Sequence, residues 1–149
     1  LFKHRLMLNL KEVTFETNGT QKLTEDLAEF LRNSFNYDEL TFSVSPKLSV
    51  SGEVWDDAIK PKIVREYEKI GYTYLKFVVS SEEDVEEAEK AVYAYQNEGF
   101  GGPVYLMPVG GVESVYHLNN RKVAEMAMKK GWRYSDRLQV PLFKNEWGT

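Results

Sequence analysis

Four short runs rich in β-branched and aromatic residues, each followed by a longer stretch with helical or turn character, limit how this chain can fold. Val13 to Glu16 reads as a strand. Thr24 to Asn33 reads as a helix, with Thr24 as its N-cap and Leu27, Phe30 and Leu31 on one stripe. Leu40 to Val44 is a second strand. Trp55 to Ile70 carries Ile59, Ile63, Tyr67 and Ile70 at helical spacing, with Gly71 as its stop. Tyr74 to Val79 is a third strand. Ser81 stands three residues before Asp84, the spacing of an acidic capping box, and opens a helix from Glu82 to about Asn97. Val104 to Met107 is a fourth strand, ended by Pro108, and Asn120 to Lys130 a last helix stopped by Gly131. The segment from Trp132 to Phe143 reads as extended.

Strands joined by connections of this length pair in parallel. Right-handed crossovers then allow an open doubly wound sheet or part of a (β/α) barrel. A chain of 149 residues with 42% apolar residues can bury a core as one unit. A net charge of −4 provides no footprint for nucleic acid, and the apolar runs are too short for a membrane span. With no cysteine and only His4 and His117, the chain offers neither thiolates for an iron–sulfur cluster nor an imidazole metal site. A cytoplasmic location is the default expectation. The first residue is Leu, which is the start expected of a fragment of a longer protein, and equally of a processed one.

Ligands of parallel α/β folds bind at the carboxyl ends of strands. Those ends carry Glu16-Thr17-Asn18-Gly19-Thr20, Ser45-Pro46-Lys47, Ser80-Ser81 and Met107-Pro108-Val109-Gly110. Each is also an ordinary turn: Gly19 supplies a positive φ, and Pro46 stops a strand. Glu16 either pairs with a lysine or meets a ligand's hydroxyl or ammonium group. Lys76 poses the same question, unless it lies at a sheet edge. The tail gathers Trp132, Arg133, Tyr134, Arg137 and Trp147. It is either a strand with its arginines in solvent or an ordered terminus that closes a pocket and grips a carboxylate. The acidic run Glu82 to Glu89 reads as a solvated helix face.

Taken in order, these segments resemble the 7-carboxy-7-deazaguanine synthases, a family of radical S-adenosylmethionine enzymes. The resemblance is carried by Glu16-Thr17-Asn18-Gly19-Thr20, Ser45-Pro46-Lys47, Leu75 to Val79, Val104 to Pro108, and the ending from Gly131 to Gln139 through Asn145 and Gly148-Thr149. It covers the C-terminal half of the family. The N-terminal half, with its Cys-x3-Cys-x2-Cys motif and Gly-Gly-Glu-Pro segment, has no counterpart here, and Leu1-Phe2 reads like sequence just downstream of that segment.

The resemblance implies an α/β fold that is the C-terminal part of an incomplete (β/α) barrel with a mostly parallel sheet. It implies S-adenosylmethionine contacts at Ser45, Pro46, Lys47, Met107, Pro108, Val109 and Gly110, and weaker ones at Glu16 and Asn18. The Thr149 carboxylate is the implied contact for the pterin substrate. The implied reaction converts 6-carboxy-5,6,7,8-tetrahydropterin to 7-carboxy-7-deazaguanine, a precursor of queuosine. Its implied cofactors are S-adenosylmethionine, a [4Fe–4S] cluster whose ligands lie in the N-terminal half, and Mg²⁺. The implied partner is that missing half or a second copy, and the chain alone is expected to be inactive. Gln139 stands where several members have His and carries no role. Two other expectations stand beside this one: a non-enzymatic half-barrel interaction module, and an α/β domain for a phosphorylated ligand, which would lack a glycine-rich first turn.

Overall fold

In the computed structural model, residues 10–110 and 120–137 are described. Five strands form one sheet: β1 (Val13–Thr17), β2 (Leu40–Val44), β3 (Tyr72–Val79), β4 (Val104–Pro108) and β5 (Arg133–Tyr134). The helices are α1 (Glu25–Ser34), α2 (Trp55–Ala58), α3 (Pro61–Glu68), α4 (Glu82–Asn97) and α5 (Asn120–Lys129). All strand pairs are parallel and the spatial order is β1-β2-β3-β4-β5, the order in sequence. Among the described strands the order never reverses and so has no switch point, which sets the doubly wound alternative aside. The sheet is not closed among the described strands, whose outermost members are β1 and β5.

The local signals that start the helices act as their chemistry requires. Thr24 caps α1, its Oγ1 accepting from Leu27 N–H at 3.4 Å. Ser81 and Asp84 form a reciprocal box at the start of α4: Asp84 N–H donates to Ser81 Oγ at 3.2 Å, and Ser81 N–H to Asp84 Oδ2 at 3.1 Å. The stretch from Trp55 to Ile70 departs from expectation. It is two helices, because Lys60, the residue before Pro61, takes φ −123° and ψ 72° and cannot stay helical. Gly71 also has a different role from that of a left-handed stop. It lacks a positive φ, and a Cβ there would lie 2.6 Å from the Leu40 carbonyl oxygen, so a side chain is excluded by close approach to β2. Pro108 belongs to β4 rather than ending it, standing opposite Val79, while Val109 N–H donates to the Val79 carbonyl at 3.0 Å.

Side-chain alternation divides the sheet into two faces. Phe42, Val44, Leu75, Phe77, Val79 and Leu106 share one core with Leu31, Val64, Tyr67, Val85, Tyr95 and Val123 from the helices. Phe42 stacks between Phe15 and Tyr67, with centroids at 5.4 and 4.8 Å. The helices therefore pack on one side. The other face carries Glu16, Ser43, Tyr74, Lys76, Tyr105 and Met107. Tyr74 and Tyr105 touch there at 5.1 Å, and Arg133 Nη1 donates to Tyr105 Oη at 2.9 Å. No described helix is long and apolar enough to cross a membrane.

Candidate functional site

The carboxyl ends of β1 to β4 all open on the same end of the sheet, and the loops there are held by their own polar groups. Asn18 Oδ1 accepts from Thr20 N–H at 3.2 Å and from Thr20 Oγ1 at 2.9 Å. Gly19 N–H donates to Thr17 Oγ1 at 3.1 Å. Gly19 has φ +79°, and a Cβ there would stand 2.7 Å from Val44 Cγ1, so the turn after β1 presses directly on the core. Behind it the Tyr67 hydroxyl donates to the Gln21 carbonyl. Burial pushes the Tyr67 phenol above its ordinary pKa, and a hydrogen bond with Thr17 opposes that shift. Ser45 N–H donates to the Thr17 carbonyl at 2.7 Å, extending the β1–β2 ladder past the strand end.

These loops surround a cavity of about 420 Å³ lined by Glu16, Thr17, Asn18, Ser43, Ser45, Lys47, Lys76, Val78, Met107 and Arg137. Three cationic side chains stand against one carboxylate, so the lining favours an anionic group. Lys76 reaches across β2 to Glu16, Nζ to Oε1 at 3.8 Å, with the lysine side chain 19% exposed and the glutamate 79%. The pair is too long for a hydrogen bond, and its exposure on one side makes it weak. Larger hollows of about 570 and 700 Å³ lie on the helical side beside α1 and α3. Their linings include none of the buried polar groups left without a partner, whereas the strand-tip cavity has two, at Ser43 and Arg137.

Of the residues singled out in the sequence, the structure brings Glu16, Asn18, Ser45, Lys47 and Met107 together around this cavity. Pro46 and Pro108 are buried and shape the chain behind it. Val109 and Gly110 are half-buried beside it and do not line it. Gly110 acts through Arg137: a Cβ on Gly110 would lie 2.7 Å from Arg137 Nη1. Thr149, Gln139 and Trp147 lie outside the described residues. Lys76 is not at an edge, since β3 is the middle strand. Glu16 is mostly solvated, so it carries no burial cost. Among the tail arginines, Arg137 lines the cavity, while Arg133 lies over the Tyr105 ring at 5.6 Å. The sequence reading missed Ser43 and Val78. Period-two spacing back from Ser45 and onward from Lys76 would have placed both on the cavity face.

Among the described residues, no cluster of His, Cys, Asp or Glu could hold a metal ion. Over 139 residues the chain is 33% identical to a protein of Pyrobaculum aerophilum named 7-carboxy-7-deazaguanine synthase, a match covering 93% of this chain and 55% of that protein. A protein of Rhodopirellula baltica with the same name is 38% identical over 79 residues, 52% of this chain and 29% of that protein. The chain thus spans about half the length of the first relative, in its C-terminal part. No protein-family model matches, and neither does any solved structure.

Proposed function

This chain is a relative of the 7-carboxy-7-deazaguanine synthases and matches their C-terminal part, and on that premise we propose that it forms one wall of the site where such an enzyme holds S-adenosylmethionine and its pterin substrate. The reaction proposed is conversion of 6-carboxy-5,6,7,8-tetrahydropterin to 7-carboxy-7-deazaguanine with loss of ammonia. The sheet is then a segment of an incomplete (β/α) barrel, with the face bearing Ser43, Lys76 and Met107 turned toward the ligands. One observation carries the reading. Residues picked out on three separate strand tips, Glu16 and Asn18, Ser45 and Lys47, and Met107, line a single cavity.

The lining suits S-adenosylmethionine. A volume of about 420 Å³ is in the range of small-molecule sites. Lys47, Lys76 and Arg137 offer charge to a carboxylate. Glu16 and the Asn18 amide offer partners for an ammonium group or ribose hydroxyls. Val78 and Met107 give apolar surface for a purine. S-adenosylmethionine, when bound, supplies the hydrogen-abstracting chemistry; the chain's own residues orient it by its carboxylate and ammonium groups. The iron–sulfur cluster does not fit, because there is no cysteine in the chain. Its ligands, and those of Mg²⁺, belong in this reading to the part of the enzyme that the chain does not match.

Activity tests the proposal. Mixed with a polypeptide carrying the three-cysteine segment, the chain should form 7-carboxy-7-deazaguanine. Alone, supplied with iron and sulfide, it should release no deoxyadenosine. Ser45→Ala or Lys47→Ala in the mixture should lower turnover roughly 10- to 100-fold, the scale of a lost hydrogen bond to a charged group. Deoxyadenosine from the chain alone, or unchanged turnover in both variants, would refute it.

A further inference from the structure

The strand-tip cavity contains donors that the protein itself leaves unmatched. Ser43 is 1% exposed, yet its Oγ has no hydrogen-bond partner among the described residues. Two other buried polar residues, elsewhere in the fold, are satisfied: Thr73 Oγ1 donates to the Gly71 carbonyl at 3.0 Å, and Asp84 accepts from Ser80 and Ser81; the Tyr95 hydroxyl, on the helical side, shares the unmatched state of Ser43. A buried hydroxyl without a partner is costly, and native structures keep few of them. Ser43 stands opposite Glu16 on one side and Tyr74 on the other, with Lys76 two residues further along the same face of β3. The Lys76–Glu16 contact therefore passes over β2 beside Ser43. Among the described residues, that glutamate at 3.8 Å is the one ionic partner of Lys76. Arg137 Nε, buried on the tail side of the same cavity, is unmatched as well.

We infer that Lys76 and Ser43 form a subsite for a carboxylate of the bound ligand, with Arg137 closing it from the tail. A lysine ammonium and a hydroxyl lining one cavity offer separate donors to the two oxygens of one planar monoanion. Glu16, mostly in solvent and weakly held, is free to turn away as the ligand's carboxylate meets Lys76. The inference rests on the proposed function in one respect: both ligands named there carry a carboxylate, and the test tells them apart.

Two pairs of stable compounds are titrated into the 149-residue chain. S-adenosylhomocysteine is set against its decarboxylated form, 5′-deoxy-5′-(3-aminopropylthio)adenosine, and pterin-6-carboxylic acid against pterin. Acetate is titrated separately, with NMR of the Ser43 and Lys76 amides as readout. One carboxylated compound should bind roughly 10-fold tighter than its partner. Lys76→Met should abolish that advantage, Lys76→Arg should keep part of it, and Ser43→Ala should lose a smaller part. The pair that shows the advantage names the source of the carboxylate. Equal binding within both pairs, or an advantage that survives Lys76→Met, overturns the inference. If none of the four compounds binds the chain without the other wall of the site, acetate decides. Shifts at Ser43 that vanish in Lys76→Met sustain the subsite, and the absence of shifts at Ser43 and Lys76 in the unmodified chain overturns it.

Discussion

Replacing Gly19 by alanine tests how tightly the cavity's first loop is fixed to the core. Gly19 has φ +79°, and a Cβ there would meet Val44 Cγ1 at 2.7 Å and Val64 Cγ2 at 3.0 Å. Gly52 provides a matched control, with φ +80° and nothing within 4 Å of its Cβ. Both substitutions carry the left-handed penalty of about 1–2 kcal/mol. Both recover about 0.4–1 kcal/mol from the stiffer unfolded chain. Gly52→Ala should therefore cost about 0.5–1 kcal/mol net. Gly19→Ala adds overpacking against two buried valines, about 1–3 kcal/mol more, for a total of about 1.5–4 kcal/mol. For a chain of this length that total lowers Tm by roughly 5–12 °C. Urea titrations followed by circular dichroism measure both variants, and unchanged m-values would show that the surface exposed on unfolding is the same, so that midpoints report stability. Equal losses for the two would refute the reasoning, since crowding at Val44 and Val64 is what separates them.

At the start of α4, Asp84 Oδ2 accepts from Ser80 N–H at 2.7 Å, Ser80 Oγ at 2.8 Å and Ser81 N–H at 3.1 Å. Asp84→Ala strands these donors and should cost about 2–4 kcal/mol, against about 1 kcal/mol for Ser81→Ala; urea midpoints that rank the two the other way would contradict the capping geometry. Burial holds the Tyr67 and Tyr95 phenols above their ordinary pKa of 10.0, so the unfolded chain loses these protons first as pH rises. Their contribution is intact below pH 10 and falls above it, by at most about 1.4 kcal/mol per pH unit for each tyrosine. Tyr95→Phe should flatten that decline in urea midpoints taken from pH 8 to 11, and an unchanged slope would show that the hydroxyl is already solvated.

Elements with strong local chemistry were readable in advance. The Ser81–Asp84 box and the Thr24 cap need only residues a few positions apart, so sequence spacing carries them. The single helix expected across Trp55 to Ile70 was misleading, because its apolar spacing continues through Pro61 while the backbone cannot. Strand tips were legible through a general rule of parallel folds, which is why Ser45, Lys47 and Met107 were found. Face assignment was harder. Alternation in β3 separates Tyr74, Lys76 and Val78 from Thr73, Leu75 and Phe77, but either set could have met the helices until packing chose. Ser43, between Phe42 and Val44, looks like any small strand residue; spacing back from Ser45 assigns its face, but its burial between Glu16 and Tyr74 needed the packed sheet.

The monotone order of the strands also bears on how the molecule comes into being. Each new strand pairs with the one made just before it, and none must be threaded between two that have already joined. Synthesis from the N-terminus can therefore lay the sheet down unit by unit, each strand–helix pair resting on its predecessor. Contacts stay moderately local for an all-parallel sheet, which limits the loop-closure entropy that slows such topologies. At every stage the growing side presents one fresh strand, and the next segment to emerge is the one that covers it.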